Sequence, residues 1–146
     1  MTFHLSDTGS PRFTIDPQRY EQYRALGSFV TGEVGKLPGV ALDALASIDD
    51  AREGREVEPW SSESYSAVID KDGLWFENEF APDEKGRYTL DEFADVMEAY
   101  WRFLASLPEP AGAVRQYWPD LPRAEAEVKL WEQVWKRGHP YRGRLF

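Results

Sequence analysis

The chain has no cysteine. This removes disulfides, a thiolate nucleophile and cysteine-ligated metals, and it suits a reducing compartment. Histidine is nearly as scarce, with only His4 and His139, far apart in sequence. That leaves almost no material for a serine or thiol triad. His139 lies between Gly138 and Pro140 and reads as a turn residue, while His4 falls in a short strand pattern and reads as structural. No apolar run approaches a membrane span, and Met1-Thr-Phe-His lacks the basic and apolar segments of a signal peptide. A cytoplasmic protein without membrane contact is therefore expected. Gly32-Glu-Val-Gly35 is too short to cradle a phosphate and lies in a helical pattern. No internal repeat or low-complexity tract is present.

What is present is the composition of a packed globule. Of 146 residues, 42% are hydrophobic and 14% aromatic, enough for one domain with a real core. Net charge is −9 and uneven. Residues 1–60 carry 6 basic and 10 acidic side chains, residues 61–110 carry 4 and 12, and residues 111–146 carry 7 and 4. An acidic middle favours a basic partner and disfavours nucleic acid; the plain alternative is that it only keeps the protein soluble.

The stretch 64–107 organises the chain. Tyr65, Ala67 and Ile69 alternate with polar residues, as do Leu74, Phe76, Asn78 and Phe80 on the return. Asp72-Gly73 between them predicts a two-residue hairpin turn, pairing Tyr65 with Phe80, Ala67 with Asn78 and Ile69 with Phe76. The opposite face then carries Val68, Asp70, Trp75, Glu77 and Glu79. Residues 81–87 read as a loop. Thr89-Leu-Asp-Glu92 is a capping box, opening a helix whose stripe of Phe93, Val96, Met97, Tyr100, Phe103 or Leu104, and Leu107 should lie on the sheet. Asp91, Asp95, Glu98 and Arg102 fall on its outer side, with Glu98 and Arg102 as a surface pair. Pro108 and Pro110 end it.

Upstream, Phe3-His-Leu and Arg12-Phe-Thr-Ile read as two short strands. Asp16 and Pro17 start a helix with Tyr20, Tyr23, Leu26 or Gly27, and Val30 as its stripe. Pro38-Gly39 interrupts it, and a second helix follows over 40–53 with Val40, Leu42, Leu45 and Ile48 apolar; acids at its end favour fraying. Residues 54–62 read as a polar connector. Downstream, residues 123–137 are helical with Val128, Trp131 and Trp135 or Val134 on one side, and 138–146 are irregular and basic. Most of Tyr100, Trp101, Phe103, Trp131 and Trp135 are expected in the core. Trp60, Trp75 and Trp118 suit partner contacts.

The expected fold is α+β: a four-stranded, mainly antiparallel sheet packed on helices, with an additional C-terminal helix. It forms a single domain over 1–146, divided into a core (1–110) and an extension (111–146).

This order resembles the YacL-like family, which includes immunity proteins of contact-dependent growth inhibition systems. The resemblance rests on Phe3-His-Leu-Ser-Asp, on the Arg12-Phe-Thr-Ile strand entering a helix, on Ser64-Tyr-Ser-Ala-Val-Ile-Asp-Lys-Asp-Gly with its return, and on Leu90-Asp-Glu-Phe with Ala99-Tyr-Trp-Arg-Phe-Leu104. It covers about the first 105 residues, and the Trp-rich basic segment that follows departs from it. The resemblance implies a protein that binds and silences a cognate toxin domain without catalysis or cofactor. Charge and exposure, not the resemblance, nominate the partner-binding residues: Trp75, Glu77, Glu79, Asp83, Glu84, Asp91, Asp95 and Glu98. These would meet a basic toxin domain; against a nuclease, the carboxylates would compete for its phosphate-holding lysines and arginines.

Glu77 and Glu79 point the same way about 7 Å apart, within the span of glycosidase carboxylates, yet alternating glutamates also mark an ordinary solvated strand. Asp83, Glu84 and Asp91 lack the spacing of a calcium loop, and no metal is expected. The alternative function is a small-ligand-binding protein or hydrolase with a pocket between the sheet and the C-terminal helix. A third reading is an adaptor whose basic tail, 138–146, docks elsewhere.

Overall fold

The computed structural model describes residues 1–109, 112 and 114–146. Phe29 is at the centre of its core. The ring is fully buried, stacks on Phe76 with centroids 4.5 Å apart, and meets Tyr65 edge-on at 5.2 Å. Periodicity led to Tyr20 instead, which is exposed. Ala25, Leu26, Gly27, Phe29, Val30 and Val34 form the buried side of α1 (Tyr20–Val34), which follows a single 3₁₀ turn (Pro17–Arg19). Asp16 caps that short turn through the Gln18 N–H rather than capping α1 itself.

The α+β class holds, with a C-terminal helix present, but the four strands of the main sheet are not those of two equivalent hairpins. The N-terminal strands, β1 (Thr2–Leu5) and β2 (Pro11–Thr14), pair only with each other. Their ribbon is held by its aromatics. Phe3 meets Tyr100 edge-on at 4.7 Å, and the Phe13 ring fills the space that a side chain at residue 27 would need, so Gly27 is required there. The main antiparallel sheet runs β3 (Trp60–Ser61), β4 (Tyr65–Asp70), β5 (Gly73–Asn78), β6 (Gly86–Tyr88). Its edge strands lie where the sequence suggested a connector and a loop. Both are too short to show an alternating pattern of their own.

The hairpin register also differs from expectation, by two residues. Tyr65 lies opposite Asn78, Ala67 opposite Phe76, Ile69 opposite Leu74 and Asp70 opposite Gly73. The turn therefore lies over Lys71-Asp72. Asp70 accepts the Asp72 N–H at 2.9 Å, so the reversal begins one residue early. Gly73 is the only residue of this turn with positive φ (131°), and a Cβ there would stand 2.1 Å from the Tyr88 carbonyl. Close passage of β6 makes Gly73 a strand residue. An even shift preserves the two faces, so Tyr65, Ala67, Ile69, Leu74 and Phe76 are buried as expected. Phe80 pairs with nothing on the strand: Asn78 accepts the Phe80 and Ala81 N–H groups and turns the chain away, leaving Phe80 74% exposed.

α2 (Pro38–Arg52) is buried on several sides, through Ala41, Leu42, Ala44, Leu45, Ala46, Ile48 and Ala51. Its alanines let neighbours approach closely, so it packs against β4, α3 and α4 together. Pro38 occupies its first turn, where proline costs no hydrogen bond. At its acidic end Arg55 pairs with Asp49 and Asp50. α3 (Leu90–Ser106) has the expected capping box, with Thr89 Oγ1 accepting the Glu92 N–H and Glu92 accepting the Thr89 N–H. Its stripe is buried, but it packs chiefly on α2 and also meets the N-terminal ribbon at β1 and the main sheet at β5. Leu107 follows the helix; the expected stop at Pro110 lies outside the described residues.

α4 (Arg123–Trp135) buries Val128 and Trp131, whereas Trp135 is 56% exposed, against expectation. The chain beyond α4 is not a free tail. His139 and Tyr141 are buried, and Phe146 meets Trp101 edge-on at 5.3 Å. Residues on both sides of position 110 share one hydrophobic cluster. The adaptor reading loses its premise, since a tail built into the core is not available to dock elsewhere.

Candidate functional site

Because β4, β5 and β6 bury one set of alternating residues against the helices, the other set faces outward. Across the middle of this open face, Val68 lies directly opposite Trp75, and Trp75 opposite Arg87. Trp75 is 48% exposed, with the Arg87 guanidinium 5.8 Å from its ring centre. One row along, Ser66 lies opposite Glu77, and Glu77 is exposed. An aromatic flanked by an aliphatic side chain and a cation, with a carboxylate beside it, is the arrangement found here.

The remaining nominated residues do not join it. Glu79 is exposed beyond the end of β5. Asp83 and Glu84 lie in the β5–β6 loop, where Arg24 of α1 pairs with Glu84 at 2.6 Å and donates to the Asp83 carbonyl at 2.9 Å. Asp91 pairs with Arg52 at 2.8 Å, and Asp95 is exposed on α3. That helix belongs to the layer behind the sheet, so Asp91 and Asp95 open onto a different side from Trp75.

Glu98 is a correction. It is only 7% exposed, and its carboxylate lies 2.7 Å from the Arg144 guanidinium under the C-terminal segment, so it is neither a surface residue nor the partner of Arg102. Spacing along α3 placed it outside because the chain that covers it, at Arg144, arrives from 46 residues downstream. The single continuous acidic face is thus replaced by separate acidic groups around the molecule.

The histidines hold no catalytic geometry. Nδ1 of His139 accepts the Tyr141 N–H at 3.1 Å, which places the ring proton on Nε2, 2.9 Å from the Leu42 carbonyl. Burial lowers its pKa, so the ring is held neutral, and both nitrogens are engaged. His4 is exposed, opposite Arg12 on the N-terminal ribbon. Among the described residues, no three acidic or histidine side chains converge as a metal site would require. No helix among them is long and apolar enough to cross a membrane.

A second concave feature lies where α2, the stretch before β3 and the end of α4 meet. It is a groove of about 470 Å³ bounded by Trp60, Trp131 and Trp135. The Trp60 and Trp131 indole N–H groups donate to Glu33 and Asp43, each at 2.8 Å. The sequence suggested a pocket between the sheet and the C-terminal helix and named Trp60 as a contact residue, but not these partners. Trp60 also packs on Phe29, at 5.6 Å, and Trp118 lies beneath the Lys129 ammonium at 5.3 Å. Compared with known proteins, the chain matches no family model, no curated protein and no solved structure.

Proposed function

We propose that this protein is a non-catalytic immunity partner that binds and neutralises a basic toxin domain through the open face of its sheet. The observation that carries the reading is the half-exposed Trp75 set beside Val68 with Glu77 in the adjoining row. A flat aromatic with two side-chain torsions loses little entropy when covered, and a neighbouring carboxylate orients a basic partner. The other carboxylates act at long range. With a net charge of −9 they speed encounter with a cationic surface without forming the contact themselves. The toxin-binding role is what the resemblance to the YacL-like family implies.

The test is calorimetry at low salt with the toxin domain encoded beside this protein. A complex is expected, with Trp75→Ala weakening it by about tenfold or more and Glu77→Lys slowing association in a salt-dependent way. Absence of a complex, or a complex indifferent to Trp75, overturns the reading.

A further inference from the structure

We propose that the groove between α2, residues 56–61 and the end of α4 receives the guanidinium of an arginine side chain presented by a basic partner segment. The volume, about 470 Å³, falls in the range of small-ligand sites, roughly 300–1,000 Å³. Three features of its walls select the ligand.

Indole faces are the first. Trp60 and Trp131 are fixed by their N–H bonds to Glu33 and Asp43; Trp131 is buried beneath Arg137, so the open faces are those of Trp60 and Trp135. Accepting carboxylates also raise the negative potential of the bonded rings, and Trp135 is 56% exposed. Aromatic faces so arranged attract cations.

Charge is the second. Asp43, Asp50, Glu56 and Glu58 border the groove; Asp50 is already paired with Arg55 and Arg137, which leaves Asp43 and the exposed Glu56 and Glu58 as the excess negative charge. A neutral or anionic ligand would leave that imbalance uncompensated.

The third is Arg137 itself. Its guanidinium lies 5.3 Å from the Trp131 ring centre and 3.5 Å from Asp50 Oδ2. One guanidinium thus already lies over an indole face beside a carboxylate in this groove, and a second would take the same kind of position against the open face of Trp60 or Trp135. A planar guanidinium suits such a slot better than a compact ammonium. The groove adjoins the Trp75 face at Trp60 and Ser61, but its test needs no toxin, so its failure is distinguishable from failure of the toxin-binding reading.

The experiment titrates the full chain with Nα-acetylarginine methylamide, followed by tryptophan fluorescence and indole N–H chemical shifts. The uncharged citrulline analogue serves as control. Saturable millimolar binding of the arginine compound alone is expected, with a basic tetrapeptide binding more tightly. Trp135→Ala and the double change Glu56→Gln/Glu58→Gln each weaken binding by about fivefold. All three sites are exposed, so an unchanged urea midpoint verifies folding. Arg137→Gln removes the competing cation and strengthens binding. Equal binding of the citrulline compound, no saturation, indifference to Trp135→Ala, a tetrapeptide no better than the single residue, or weaker binding by Arg137→Gln overturns the proposal.

Discussion

Arg144 reaches back over α3 to the carboxylate of Glu98, and the two side chains lie 2.7 Å apart with Glu98 almost wholly buried. A buried carboxylate without its cation is expensive, while the pair itself contributes little beyond breaking even. Arg144→Ala is therefore expected to destabilise by about 1–2 kcal/mol, and adding Glu98→Gln should recover part of that loss. Urea midpoints of the two single variants and the double variant measure the coupling. Strict additivity would show that the contact has no energetic content.

The C-terminal segment is part of the core, so its apolar side chains should matter as much as those of the central helix. Tyr141→Ala is expected to lower stability by about 3 kcal/mol, within the range for truncating a buried ring. A change below about 1 kcal/mol would mean that the segment only rests on the surface.

The register of the hairpin separates two phenylalanines that look alike in sequence. Phe76 is fully buried and stacked on Phe29, whereas Phe80 is exposed. Phe76→Ala should cost about 3–5 kcal/mol and Phe80→Ala no more than about 0.5 kcal/mol. Gly73→Ala should cost more than about 2 kcal/mol, because positive φ and the Tyr88 carbonyl both oppose a Cβ. Thermal or chemical denaturation of the three variants decides between the observed register and the one with Phe80 in the ladder.

Stability should fall on mild acidification. Burial lowers the folded-state pKa of His139 below its ordinary value, with the Leu42 carbonyl opposing only in part. Between the folded pKa and the unfolded value of about 6.5, the unfolded chain binds the extra proton. The stabilisation is full above that unfolded value and is lost as pH drops toward the folded one. Glu92, lowered chiefly by the Thr89 N–H, and Glu132, lowered chiefly by Arg142, add a second loss below the ordinary carboxylate range. Urea midpoints at about pH 7.5 and about pH 5.5 should differ in the wild type, and by less in His139→Gln. An equal slope in that variant would place the proton elsewhere.

Local chemistry determined much of this protein. The capping box at Thr89 and Glu92 and the alternation of buried and exposed residues in β4 and β5 depend on neighbours within a few positions, and they were legible. Trp75 and Glu77 were correctly placed outward for the same reason, since strand parity survives a two-residue slip. Tertiary structure alone decided the rest. Edge strands of two and three residues exist because β4 and β5 offer them partners. Phe29 rather than Tyr20 became central because the sheet lies on that side of α1. Glu98 was drawn inside, and the acidic residues dispersed over several surfaces, because segments distant in sequence cover some helix faces and leave others open. A linear pattern records how often a residue recurs, but what comes to lie on top of it is fixed only when the whole chain packs.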